Sequence, residues 1–411
     1  MKKTALLLIL CITMITASSC FSLRPHDGQP AQFSESAGYE RAILDESDAV
    51  DELPAADRIP TPADPYEGVS ISLLAAGDNL IHPNIYTDAY TRGNENKRYD
   101  FLPVYTDVAE MIAAADIAFI NEETVMAGEA YGYSGYPCFN APQELGDDLV
   151  TLGFDIINMA NNHMLDMGTQ GLLDTIDFWK TKPVTLLGGY TDPDDYSDIR
   201  TTEADGITIA WLSYTYGTNG IVKQSWSDAV IPYIDDELII DDLSRAEEIA
   251  DFVIVSIHWG DENTQTPNDE QRRLAQLIAD NGADLILGHH SHTVQPIEWI
   301  KAEEKDVLCI YSLGNFISGM ARPVNVVGGM LSLNIVSDGE GGLTVDDVLF
   351  TPTVFWYGTD WYGTHLYLMS DFTEWLASTH GVQIEGYSMT VESAKEFITN
   401  VIDEEFLPEG F

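Results

Sequence analysis

Six of the nine histidines (His82, His163, His258, His289, His290 and His292) stand just behind apolar runs that read as β-strands, each beside Asp, Asn, Glu or Gly. No other feature constrains the fold as much. The run 69–76 has β-branched alternation and ends in Gly77-Asp78. Residues 117–120, 154–158, 184–187, 252–257, 285–287 and 307–311 are further strand candidates, and helical spacing occupies 104–115, 143–152, 172–179 and 269–280. Such alternation predicts an α/β architecture with helices covering sheet faces. In open α/β sheets the loops at the carboxyl ends of the strands converge on one crevice, so residues placed there meet even when far apart in sequence. Downstream, 326–336 and 343–355 read as an antiparallel pair around a Gly-rich turn at 337–342. Val391, Ala394, Ile398 and Val401 behind Thr390 read as an N-capped amphipathic helix.

The start of the chain differs in kind. Met1-Lys2-Lys3, an apolar run over 5–17 and Ser18-Ser19-Cys20 have the form of an export signal. The run is shorter than the roughly 20 apolar residues of a spanning helix. Ala17-Ser18-Ser19-Cys20 also resembles a bacterial lipobox, which predicts residues 1–20 as signal, lipidation of Cys20 and an anchor in the outer face of the cell membrane. Simple secretion by cleavage nearby is the plainer alternative. Residues 21–67 are rich in Asp, Glu, Pro, Ala and Ser without apolar periodicity, which predicts a disordered acidic tether. A folded domain is expected over 68–356, followed by an extension over 357–411 that ends in the helix behind Thr390. With 19 Lys+Arg against 67 Asp+Glu the net charge is −48, which repels phosphate backbones and excludes nucleic acid as a partner.

The stations behind the strands carry the chemistry. They are Gly77-Asp78 with His82, Asn121-Glu122-Glu123, Asn161-Asn162-His163 with Asp166, His258-Trp259-Gly260-Asp261-Glu262, Gly288-His289-His290-Ser291-His292 and Ser312-Leu313-Gly314-Asn315-Phe316. Singly each has a bland reading: Gly-Asp is usually a turn, Asn-His a cap, and a buried His a hydrogen-bonded core residue. Together they make up the imidazole, carboxylate and amide inventory of a two-metal site, suited to Zn, Mn or Fe. Asp166 reads as the cap of the helix that begins near Gly168, Trp259 as a buried brace, and Gln295 and Asn315 as either loop braces or residues that orient ligands.

In this order and spacing the stations, with Gln295-Pro296 behind His292, resemble the poly-gamma-glutamate capsule synthesis proteins of the CapA type, within the calcineurin-like metallophosphoesterases. The similarity runs from about 69 to 355. It implies a four-layer α-β-β-α sandwich of the metallophosphoesterase type, with two divalent metal ions at the strand ends. Carried over by position, Asp78 and His292 resemble ligands of the first metal, and Glu123 stands at the bridging position. Asn162, His258 and His290 resemble ligands of the second metal, and His163 the imidazole that stabilises charge or protonates a leaving group. His82, Asn121, Glu262 and His289 are further candidates for ligation or for orienting ligands. Two departures from the family pattern stand out: the Asp-x-His first motif is missing, and the bridging residue is Glu where Asp is usual.

The resemblance implies metal-assisted hydrolysis in making, releasing or trimming poly-gamma-glutamate or a related anionic polymer, beside a membrane synthase complex. Two other readings are a non-catalytic accessory that binds emerging polymer and a phosphoesterase acting on a small phosphorylated substrate. There is no Gly-x-x-x-x-Gly-Lys-Ser/Thr loop, no Gly-x-Ser-x-Gly elbow and no zinc-ribbon spacing of Cys. Cys138 and Cys309 are distant in sequence, so their pairing stays open; Cys309 reads as a quiet core thiol.

Overall fold

Uninterrupted apolar runs become strands buried on both faces, and the polar stations fall where those strands end. The computed structural model describes residues 64–411 apart from Glu304. The signal, Cys20 and the tether up to residue 63 lie outside the described residues. The strands are β1 (Ser70–Leu80), β2 (Ile117–Glu122), β3 (Ile156–Asn158), β4 (Thr185–Leu187), β5 (Arg200–Ala204), β6 (Ile207–Thr215) and β7 (Phe252–His258). They continue as β8 (Leu285–His289), β9 (Ile297–Lys301), β10 (Asp306–Ile310), β11 (Asn315–Ser318), β12 (Val327–Ser337), β13 (Leu343–Trp356) and β14 (His365–Leu368). The helices are α1 (Pro83–Arg92), α2 (Ala109–Ala114), α3 (Glu144–Leu152), α4 (Gly168–Trp179), α5 (Pro193–Ser197), α6 (Asp236–Glu247), α7 (Asp269–Asp280), α8 (Glu374–Thr379) and α9 (Val391–Thr399). Among the described residues, no helix is long and apolar enough to cross a membrane.

Two sheets result. One runs β14-β13-β12-β1-β2-β3-β4, with β11 also paired to β1, and the other runs β5-β6-β7-β8-β10-β9. The strands β1 to β4 are mutually parallel, as are β6, β7, β8 and β10. Period-two burial sorts the layers. In β7, Phe252 and Ile254 join a core with Phe119 of β2, whereas Val253, Val255 and Ile257 join a second core with Ile239 and Leu243 of α6 and Leu274 and Ile278 of α7. Phe119 stacks on Trp211 of β6 with centroids 6.0 Å apart and planes at 8°, joining the sheets face to face. Leu145 and Leu149 of α3 and Leu172 and Ile176 of α4 are buried in the first of these cores. The order helix, sheet, sheet, helix is the four-layer α-β-β-α sandwich expected.

Local signals explain the helix ends. Asn268 and Gln271 form a reciprocal capping box on α7, as Thr390 and Ser393 do on α9. The helix expected over 104–115 is shorter: a 3-10 turn occupies Leu102–Tyr105, Thr106 closes it onto the Pro103 carbonyl at 3.1 Å, and α2 begins only at Ala109. Residues 357–411 contribute one strand to the first sheet. β14 pairs with β13, and the Thr364 backbone N–H and hydroxyl donate to Asp88 of α1 at 2.7 and 2.6 Å. Among the described residues Cys138 and Cys309 form no disulfide, and Cys309 is buried in β10.

Candidate metal centre

Asp78 owes its position to a close backbone approach. A Cβ on Gly77 would lie 2.0 Å from the Gly314 carbonyl oxygen, the atom that accepts from Asp78 N–H at 2.9 Å. Only glycine lets the two chains come this near. The register of β1 slips at Asp78 against both β2 and β11, so the carboxylate turns inward at the strand end. Glu123 follows directly on β2, His258 closes β7, and His289 closes β8. His290 and His292 then adopt φ of 90° and 56°, a region that favours glycine and costs about 1–3 kcal/mol per residue. Surrounding bonds hold them there: Asn263 N–H donates to the Ser291 carbonyl at 2.7 Å, and Asn325 Nδ2 to the His292 carbonyl at 3.0 Å.

The strand ends bring the predicted ligands together. Glu123, His258 and His290 each offer a donor atom within 4.8 Å of the others, and so do Asp78, Glu123 and His292. Glu123 belongs to both sets, the place of a bridging carboxylate. His258 Nε2 lies 3.4 Å from Glu123 Oε1 and 2.9 Å from Asn162 Oδ1, and His292 Nδ1 lies 3.2 Å from Asp78 Oδ2. Among the described residues, both Glu123 oxygens are buried without a hydrogen-bond partner, as are Asp78 Oδ2 and the Nδ1 atoms of His258 and His290. A buried carboxylate without donors is costly unless a cation neutralises it. The donor set of nitrogen and carboxylate oxygen therefore fits divalent cations.

The charges balance in a telling way. Burial, with the Asp78 charge beside it, raises Glu123 to about 8. Burial pushes His258 and His290 well below the usual imidazole range, so both rings are neutral with a lone pair available for a metal. Burial opposes ionisation of Asp78 and His292 too, but it is overcome. The imidazoles of His289 and His292, with Nδ1 atoms 3.6 and 3.2 Å from its oxygens, hold Asp78 well below the carboxylate range, and Glu123 and Asp78 raise His292 to about 10. The protein thus holds a partly self-neutralised acid–imidazole cluster.

The remaining candidates divide. Asn121 Nδ2 donates to Asp78 Oδ1 at 2.8 Å, and Asn158 Nδ2 donates in turn to Asn121 Oδ1 at 2.9 Å, so Asn121 braces the carboxylate. His289 stacks on Phe119 and places Nδ1 3.6 Å from Asp78 Oδ1. Glu262 is exposed and forms a further donor set with His290 and His292. His82 stands apart: its Nδ1 accepts from Gly319 N–H at 3.1 Å, and Phe139 lies between it and His163. Burial lowers His82 to about 4. Asp166 does not cap α4, whose N-cap is Met167 without a side-chain bond. Its Oδ2 accepts from His163 Nδ1 and from Phe139 N–H, both at 2.7 Å, which fixes the imidazole. Asn315 Oδ1 likewise accepts from His292 Nδ1 at 3.0 Å, while Trp259 is buried with Nε1 on the Tyr311 carbonyl. Two residues carried no sequence signal. Tyr216 lies 4.4 Å from His290 between ring centroids, and Asn219, at φ 51°, accepts from Asn162 Nδ2 at 3.1 Å.

The model of the family described as "Bacterial capsule synthesis protein PGA_cap" matches residues 72–320. The chain belongs to this family. The PGA biosynthesis protein CapA of Bacillus subtilis (strain 168) is 38% identical over 171 residues, covering 41% of this chain and 44% of that protein. The capsule biosynthesis protein CapA of Bacillus anthracis is 32% identical over 186 residues, covering 43% of each. The matched region thus spans less than half the length of these relatives. Among solved structures, the NAD nucleotidase of Haemophilus influenzae is similar at 13% identity and TM-score 0.44, covering 70% of this chain and 52% of that one. The calcineurin-like phosphoesterase YfkN from Bacillus subtilis is similar at 13% identity and TM-score 0.41, covering 80% and 97%. Likeness at that level carries no functional information. All the candidate ligands of this PGA_cap member, from Asp78 to His292, fall inside the matched span.

Proposed function

We propose that this PGA_cap protein is a metal-dependent hydrolase that releases or trims poly-gamma-glutamate or a related anionic polymer. It works on the outer face of the cell membrane, anchored by a lipid on Cys20 and set off by residues 21–67, beside a membrane synthase complex. The observation that carries the reading is Glu123: a buried carboxylate with no donor on either oxygen, common to two ligand sets. The names of the two Bacillus relatives support the pathway.

Asp78, Glu123 and His292 would hold one divalent ion, and Glu123, His258, His290 and Asn162 the other. Such ions, of the Mn, Zn or Fe kind, supply Lewis-acid polarisation of a carbonyl or phosphoryl group and acidify water when bound. The residues do the rest. Asp166 fixes His163 through Nδ1, which leaves Nε2 as the position from which a proton passes to the leaving nitrogen or oxygen. The Phe139 ring stands edge-on to His163 at 4.8 Å and keeps water from that side. Tyr216 packs over His290, with ring centroids 4.4 Å apart.

Metal analysis of the purified protein should find two equivalents per chain, and γ-linked polyglutamate should be cut. His163→Ala should slow cleavage by about 10²–10⁴-fold with metal content unchanged. Protein with neither metal nor cleavage would move the assignment to the accessory role, and cleavage that survives His163→Ala would remove that residue from the chemistry. Asp166→Asn keeps the shape of the side chain but not its charge, and is expected to lower turnover about 10–100-fold at constant metal content. An unaltered rate would reduce Asp166 to a brace for Phe139. Cys20→Ser should shift the protein from the membrane fraction to the medium, and retention would exclude the lipid anchor.

A further inference from the structure

Most described lysines and arginines hold a carboxylate within 4.0 Å. Among the described residues, Lys223, Lys301, Arg322 and Lys395 do not. Lys223 donates to the Ser227 carbonyl at 2.6 Å, Lys395 lies 4.8 Å over the Phe411 ring, and Lys301 is exposed on the edge strand β9. Arg322 is placed differently. It lines a cavity of about 300 Å³ with Met320, Ala321, Asn325, Glu385 and Tyr387, and forms no ion pair with the Glu385 that shares it. In a chain of charge −48, a guanidinium without an acidic partner among the described residues is a ready site for a carboxylate from outside.

A second observation points the same way. Asn325 is fully buried, and its Nδ2 is committed to the His292 carbonyl at 3.0 Å, which fixes the amide orientation. Among the described residues, its Oδ1 has no donor. A buried acceptor in that state lacks one N–H or O–H. The same residue ties the cavity to the metal centre, because His292 belongs to the donor set of Asp78 and Glu123. Arg322, Asn325, Glu385 and Tyr387 all lie beyond residue 320, where the family match ends.

We infer that this cavity is a substrate subsite for a unit bearing a carboxylate and an amide N–H on one carbon, the carboxylate on Arg322 and the N–H toward Asn325 Oδ1. Each residue of a γ-linked glutamate chain carries that pair, and its two methylenes suit the walls supplied by Met320 and Tyr387. The inference rests on the hydrolase reading only in placing the polymer at the metal centre.

The test is calorimetric binding of γ-linked tetraglutamate to the full chain, chelator-stripped and metal-loaded. Arg322→Gln, at an exposed position, should weaken binding at least about tenfold in both states. Lys301→Gln should stay within about twofold. The tetramer with its α-carboxylates converted to amides should bind wild type and Arg322→Gln equally weakly. Wild-type affinity in Arg322→Gln would overturn the subsite, even if the polymer is cut. Arg322-dependent binding by a protein that cuts nothing would keep the subsite and remove the hydrolase.

Discussion

Glu123→Gln should give a folded protein that retains at most one of two metal equivalents and cuts polymer at least about 100-fold more slowly. Glu123 is the one residue common to both principal ligand sets, so an amide there weakens both positions at once. Stability should respond in the opposite sense with and without metal. In chelator-stripped wild type, two buried oxygens without donors oppose folding, and the uncharged amide relieves part of that cost. The metal-free variant is therefore expected to melt at or above the wild-type temperature. At a thousandfold excess of metal over Kd, wild type gains about 4 kcal/mol from binding, and the variant gains much less. Melting with and without chelator reads both effects. An undiminished metal-induced shift in Glu123→Gln would place the ions elsewhere.

Phe119→Ala should cost about 3–5 kcal/mol, read as a lower urea midpoint with unchanged slope. Phe119 is fully buried between the sheets, stacked on Trp211 on one side and on His289, at 5.6 Å and 20°, on the other. Truncation opens a cavity in the central layer and frees the ring that faces Asp78, so metal affinity should fall with stability. Phe119→Leu conserves most of the volume and should cost less than about 1.5 kcal/mol. A loss below 1 kcal/mol for the alanine variant would mean that the sheets collapse around the gap.

The central layers were legible because strands buried on both faces are apolar without interruption, as in β7 and β8. α7 was legible because a hydrophobic stripe and a capping box agree over the same residues. β5 was not: Arg200–Ala204 is a half-exposed edge strand of mixed polarity, and nothing local separates it from a loop. Asp166 misled because a carboxylate ahead of a glycine-started helix looks like a cap, while its partner is His163, three residues back. Tyr216 and Asn219 carry no sequence signal because they sit in an irregular loop that only long-range folding lays across the second ligand set. Arg322 carries no sequence signal either, since what distinguishes it is that no carboxylate among the described residues lies within 4.0 Å, a property of the folded body.

The pairing of β12 along β1, from Ser70 opposite Val336 to Ala76 opposite Met330, reaches beyond architecture. A fragment ending at residue 320 would keep every candidate metal ligand and lose that neighbour, leaving the strand that delivers Asp78 with an open flank of unpaired amides and carbonyls. The border at which the family match ends is therefore not a border of the folding unit. Residues beyond it set how firmly the first ligand is held.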